Sequence, residues 1–239
     1  SRADPRGPAD QEHRMTINLA PMQRENMTAR IYREIKQKIM MGELRPGDTI
    51  TLRSITDSLG VSQTPVREAL LQLVSERALA LSPGKSVKVP ELTVAQLQEL
   101  RSIRLELECF AARRAVPHAT PALIAELRGI HASLMDSRKQ QLMAPVLARN
   151  FDFHFALYSA AQMPHLLSMI ENLWVQTASY LSYLYTPPFP VLPNGHPHEG
   201  IIAALEAGDA EALVREIRRD IEGHGEFLLR YLTEHGLVK

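Results

Sequence analysis

Among 239 residues there is one cysteine, Cys109. A single thiol excludes an internal disulfide and any paired-cysteine redox or zinc motif. Aromatic residues make up only 5% of the chain. Beside abundant Leu and Ala, that leans away from a β-sandwich and toward helices. No apolar run approaches the roughly 20 residues that cross a bilayer, which excludes a spanning protein. No leader peptide is visible, which points to the cytoplasm. The formal net charge is zero, so the whole chain has no basic excess to attract nucleic acid. What is present is ordinary globular composition, 45% hydrophobic and 23% charged. That is enough to bury a real core in one large domain or two small ones.

The zero hides an asymmetry. Residues 28–90 hold 10 Lys and Arg against 6 Asp and Glu, whereas residues 91–239 hold 13 against 17. A basic segment joined to an acidic one reads as two domains with different partners. Residues 1–27 lack periodicity and read as a disordered arm, with Met15 a candidate native start.

Residues 28–90 alternate helix and turn signals. Ile31, Ile35 and Ile39 recur every fourth residue, which predicts a helix over about Thr28–Met41. The turn Leu44-Arg45-Pro46-Gly47 follows. A short helix fits about Arg53–Leu59, with Ile55 and Leu59 inward and Gly60 ending it. A third starts near Ser62–Pro65 behind a Ser or Thr cap, with Val66, Leu70, Leu73 and Val74 inward. The period then changes to two: Leu79-x-Leu81, a turn at Ser82–Lys85, and Val87-x-Val89 predict a small hairpin. Three helices and a hairpin make a winged helix-turn-helix.

Beyond Pro90, Thr93-x-x-Gln96 is a capping box opening a helix over about 93–115. Thr120-Pro121 opens the next, to about Arg138; others fit about 145–162, 165–185, 199–207 and 210–234. Thr186–Pro197 is too rich in proline for a helix. The fold class is therefore mainly α: an N-terminal winged helix-turn-helix domain over 28–90, then an all-α bundle over 91–239.

In a helix-turn-helix the start of the second motif helix meets base edges. Ser62, Gln63, Thr64 and Arg67 stand there. Arg67 has the fork for guanine or phosphate. Ser62 and Thr64 offer short donors to the DNA backbone. Arg53 opens the preceding helix. Gly84 and Lys85 occupy the wing tip, one allowing close approach to a minor groove, the other neutralising a phosphate. The plainer reading is that Arg67 pairs with Glu34 or Glu68 and the hairpin only packs.

Leu52-Arg53-Ser54-Ile55, then Gly60-Val61-Ser62-Gln63-Thr64-Pro65-Val66-Arg67-Glu68-Ala69-Leu70, preceded by Leu44-Arg45-Pro46-Gly47 and followed by the Gly84-Lys85 wing, closely resembles the GntR family of bacterial transcription regulators. The resemblance covers about 28–90. It implies that Arg53, Thr64, Arg67 and Gly84 match positions used on DNA. The family often has Arg where this chain has Gln63, and Gln reads adenine more naturally than guanine.

Eight of the nine histidines lie beyond residue 91. His118, His131, His165 and His235 read as surface or satisfied polar residues. His154 differs, because it sits in the apolar run Phe151–Phe155 with Asn150 one turn before it on the same face. Asp152 points elsewhere, to solvent or a supporting contact. His198 opens one helix, and Asp220 lies between Ile217 and Ile221 in another. Core-facing His and Asp are costly unless paired or liganded. Their convergence would make a metal site. Tyr180, Tyr183 and Tyr185 either line a pocket or pack in the core.

The pattern Arg104-x-x-x-Glu108, Asn150-x-x-Phe153-His154, His198-x-x-Ile201-x-x-Ala204-Leu205 and Gly208-Asp209 resembles the FCD ligand-binding domain of the FadR-like GntR subfamily. Many such domains hold a divalent metal with one Asp or Asn and three His. Asn150, His154 and His198 match three of those positions. The fourth, usually His, is Asp220 here, with His224 one turn on as a substitute if the helix register shifts. Two oxygens and two nitrogens still suit Zn²⁺, Ni²⁺ or Mn²⁺, with weaker zinc affinity. Open coordination positions would take a carboxylate effector. Arg104 is its candidate counter-charge, unless it simply pairs with Glu108.

The expectation is a homodimeric, ligand-responsive regulator, not an enzyme, that binds a palindromic operator in double-stranded DNA and is released by its effector. The rivals are a metal-free sensor of an acyl ligand, a scaffold whose helical domain only dimerises, and a helical metallohydrolase using His154, His198 and Asp220. The last lacks a nucleophile motif and a clear general base.

Overall fold

The computed structural model describes residues 27–84, 86–184 and 195–238. Lys85, Tyr185, the arm over 1–26 and most of the proline-rich segment before Pro197 lie outside them.

The first helix, α1 (Met27–Met40), buries Ile31, Ile35, Ile39 and Met40. It stops at Gly42, whose φ is +68°, a left-handed conformation that Gly adopts at little cost. The Pro46-Gly47 turn follows, closed by the Arg45 N–H donating to Asp48 Oδ2 at 2.7 Å. Then comes β1 (Thr49–Thr51), a strand the periodicity reading missed. Its signal was the β-branched triplet Thr-Ile-Thr, too short to stand out. Thr51 also caps α2 (Leu52–Leu59), accepting from the Ser54 N–H at 3.0 Å. Within α2 the buried positions are Leu52 and Thr56; Leu59, expected inward, is 40% exposed.

Gly60, at φ +63°, ends α2 and turns the chain into α3 (Gln63–Ser75), which buries Val66, Ala69, Leu70 and Leu73. The wing is β2 (Ala80–Ser82) against β3 (Ser86–Lys88). The sheet order is β1-β3-β2, all antiparallel, so the expected hairpin supplies the central strand and one edge of a three-stranded sheet. Leu79 and Val87 go into the core. Leu81, which the alternation placed with them, is 67% exposed beside Arg67.

The bundle begins at the capping box on Thr93, where the Thr93 hydroxyl accepts from the Gln96 N–H and Gln96 Oε1 accepts from the Thr93 N–H. Its helices are α4 (Val94–Ala115), α5 (Pro121–Lys139), α6 (Met143–Ser159), α7 (Pro164–Leu184), α8 (Pro197–Glu206) and α9 (Ala210–Glu234). Helix α4 packs along α9 and α7, α5 along α6, and α8 on α9. Cys109 is buried in α4, and burial pushes its thiol pKa up.

One hydrophobic core runs through both halves, from Ile31 and Leu73 to Ile170 and Ile201. The seam lies between α1 and α7. Lys36 Nζ meets Glu171 Oε1 at 2.9 Å. The Leu92 N–H, in the connector, donates to the buried Tyr180 hydroxyl at 2.6 Å. Gly42 lies so close to α7 that a Cβ would stand 2.5 Å from Ser182 Cβ. Tyr180 is thus a core and seam residue rather than a pocket wall. Tyr183 packs on Tyr231.

Candidate functional site

The DNA-reading surface follows from the ends of α2 and α3. Ser62 occupies the cap position of α3, but its hydroxyl makes no cap bond and stays exposed. Gln63, Thr64 and Arg67 are exposed on the same first turns. Glu34 pairs with Arg30 and Glu68 accepts from the Thr28 hydroxyl, so neither expected rival holds Arg67. Arg53 makes only a loose 3.4 Å pair with Asp57 and is 88% exposed at its side chain. Gly84 has φ +78° and no atom within 4 Å of where a Cβ would stand, and the Ser86 hydroxyl donates to Pro83 O across the turn. Gly84 is thus bare where a side chain would stand, beside a turn that Ser86 pins.

Inside the bundle, α6, α8 and α9 bring the predicted residues together. His154 Nε2 lies 3.4 Å from His198 Nε2 and 3.2 Å from Asp220 Oδ2. Asn150, one turn before His154, is buried with its Oδ1 lacking any partner. His154, His198 and Asp220 are all buried. Around a metal with bonds of about 2.0–2.2 Å, neighbouring tetrahedral ligand atoms sit roughly 3.3–3.5 Å apart. The two measured separations are close to that edge.

The tautomer of His154 follows from its neighbours. Tyr158 donates its one hydroxyl proton to Glu108 Oε2 at 2.7 Å, so its oxygen accepts from His154 Nδ1, 3.1 Å away. Nε2 is then left with a lone pair facing a carboxylate and a second imidazole. With His198 protonated at Nε2 the two rings share one hydrogen bond; a cation among the three atoms would instead take both lone pairs and the carboxylate. His198 stacks flat on Phe153 at 3.6 Å between centroids. Burial lowers its pKa well below the usual histidine range, aided by His154 and His196, which keeps it in the neutral ligating form. Burial alone would raise the Asp220 pKa. The charge of His224 outweighs that and holds it well below the carboxylate range.

His224 keeps the register of an unbroken α9. Its Nδ1 lies 3.1 Å from Asp220 Oδ1, so it backs Asp220 rather than replacing it. Asp152 pairs on the surface with Arg149. His118, His165 and His235 are exposed.

Arg104 takes the plainer of its two expected readings, the pair with Glu108. Its Nε meets Glu108 Oε1 at 2.6 Å, and its guanidinium lies 4.5 Å from the Trp174 ring centroid. It also lines a cavity of about 60 Å³ with Asn150, Trp174, Asp220, His224 and Arg101. That is room for a few waters or a small ligand. Glu108, fully buried, accepts from Arg104, Tyr158 and Trp174 together.

Sequence reasoning missed three residues. Arg101 is one of the cavity's walls. His131, read as a surface or satisfied polar residue, is half-buried, with its Nε2 3.7 Å from Glu199 Oε1. It clusters with His196 and His198, their candidate ligand atoms within 4.8 Å of one another. His196 is buried, and burial lowers its pKa to about 3. Its signal was the His196-Pro197-His198 spacing at the start of α8.

Residues 27–89 match the family model for bacterial regulatory proteins of the gntR family, and residues 99–223 match that for the FCD domain. This chain belongs to the GntR family. Within it, the HTH-type transcriptional regulator McbR of Escherichia coli (strain K12) is 36% identical over 192 residues, 80% of this chain and 87% of that protein. The HTH-type transcriptional repressor RspR of the same strain is 25% identical over 224 residues, 92% of this chain and 97% of that one. The solved structure of E. coli McbR/YncC superposes with a TM-score of 0.82 at 33% identity, covering 87% of this chain and 99% of that one. A GntR regulator from Rhodococcus sp. RHA1 shares the fold, with a TM-score of 0.68 at 22% identity. The chain is a DNA-binding transcription regulator with an FCD domain, in a family of regulators rather than enzymes.

Proposed function

We propose that this GntR regulator is a homodimeric repressor whose FCD domain senses a small carboxylate beside a divalent ion. Asn150, His154, His198 and Asp220 would hold the ion, and a bound ion there supplies a Lewis-acidic seat for the ligand's oxygen. The observation that carries this reading is the convergence of His154 Nε2, His198 Nε2 and Asp220 Oδ2 beside the unpartnered Asn150 Oδ1, at the wall of the cavity. The donor set fits a cation: His224 backs Asp220 at Oδ1, and Oδ2 is left facing His154. The cavity's size argues for a small ligand over a long acyl chain.

Regulation requires the ligand to bind two arrangements of the molecule unequally. Helix α7 supports this. Its Trp174 and Thr177 line the cavity, while Glu171, Tyr180 and Ser182 touch α1 and the connector. A ligand that shifts α7 shifts the seat of the winged domain. Relatives named as repressors favour repression here, and the ligand would then act by releasing the operator. A two-fold dimer reads two related half-sites.

The test begins with metal content in protein purified without chelator or metal-affinity resin. About one equivalent is expected, lost in His154→Ala and in His198→Ala. Operator affinity is then measured with and without small carboxylates, and mass by sedimentation. Protein that takes up no Zn²⁺, Ni²⁺ or Mn²⁺ overturns the metal reading. An operator affinity indifferent to every carboxylate overturns sensing.

A further inference from the structure

The cavity contains a charge that the metal cluster does not use. Arg101, three residues before Arg104 on α4, has its Nε and Nη1 buried with no hydrogen-bond partner among the described residues. Two other charges of the cavity wall have partners: Arg104 in Glu108 and Asp220 in His224. Arg101 is the cation left over. A guanidinium is always protonated, so its unpaired nitrogens ask for an anion.

Across from it, α9 carries Gly225. A Cβ on Gly225 would stand 2.5 Å from Arg101 Cδ and 2.9 Å from its Nη1. Gly223, two residues earlier, has nothing within 4 Å of the same point. Glycine inside a helix costs stability. At 225 the missing side chain is what lets Arg101 lie along α9 and present its fork to the cavity.

We propose that Arg101, laid across the bare backbone of Gly225, is the residue that grips the effector's anionic group, so that the cavity selects small organic anions whether or not a metal ion is bound. This rests on the cavity being the sensing site, and it moves the main counter-charge from Arg104 to Arg101.

Malonate is the probe. Chelator-treated protein is titrated with sodium malonate, and with NaCl at matched ionic strength, by calorimetry and by melting temperature. Wild type is expected to bind malonate saturably and melt higher with it. Arg101→Met is expected to bind at least about tenfold more weakly, yet to melt no lower than wild type without malonate, because the unmatched charge has gone. Arg101→Lys retains part of the affinity. Gly225→Ala weakens binding by pushing Arg101 aside. No malonate binding by wild type, or equal binding by Arg101→Met, overturns the proposal. If Arg101→Met does not fold, unchanged affinity in Gly225→Ala overturns it instead. Failure of the sensing reading looks different: malonate binds through Arg101 and operator affinity stays the same.

Discussion

Tyr158 shows how one hydroxyl sets the state of a site. Its oxygen takes the His154 Nδ1 proton and its proton goes to Glu108. Tyr158→Phe leaves His154 without an acceptor and Glu108 short of a donor. It is expected to cost about 1–3 kcal/mol of stability and roughly 10–100-fold in metal affinity, read by denaturant melts and a metal titration. At the other end of the chain, Arg67→Ala is expected to lose about 1–3 kcal/mol of specific operator binding. Arg53→Ala should instead lower the salt dependence by about one phosphate contact, with little change in specificity. Fluorescence anisotropy at several salt concentrations separates the two. His154 was legible because a histidine in an apolar helix is costly, and cost is visible in sequence; Asn150, His198 and Asp220 joined it through the resemblance. Arg101 was not legible, because its lack of a partner depends on Gly225 more than 100 residues away. His131 escaped for the same reason: only the fold shows that it meets α8.

At the scale of elements, periodicity located the helices well and the sheet poorly. Helices of 13 or more residues such as α3, α4 and α9 repeat their apolar face several times. Strands of three residues repeat nothing, which is how β1 was overlooked and Leu81 was placed inward. Two glycines with similar dihedrals separate backbone strain from packing. Gly60 (φ +63°) has open space around it, whereas Gly42 (φ +68°) meets Ser182. Gly60→Ala is expected to cost about 1–2 kcal/mol, the strain of a left-handed non-glycine residue. Gly42→Ala adds a clash at the α1–α7 seam and should cost about 1–3 kcal/mol more. Thermal melts compare the two, and protease accessibility of the connector near Leu92 reports whether the seam has opened.

For the whole molecule, the continuous core from Ile31 to Ile201 means that the two halves do not behave as beads on a string. Unfolding of wild type is expected to be a single transition by both near- and far-ultraviolet circular dichroism. Tyr180→Phe, which removes the 2.6 Å bond from the Leu92 N–H, is expected to loosen the coupling. Operator affinity then responds less to the carboxylate while carboxylate affinity itself changes little, as two titrations on the same protein would show.

The buried Cys109 gives this regulator a surface without thiols. A cysteine introduced singly on the wing or on the outer face of α9 would therefore be the one reactive handle on the chain. A pair of such handles turns the molecule into a ruler. With donor and acceptor dyes, the tilt of the winged half against the bundle becomes a distance that can be followed in real time as ligand is added, with no background labelling to subtract.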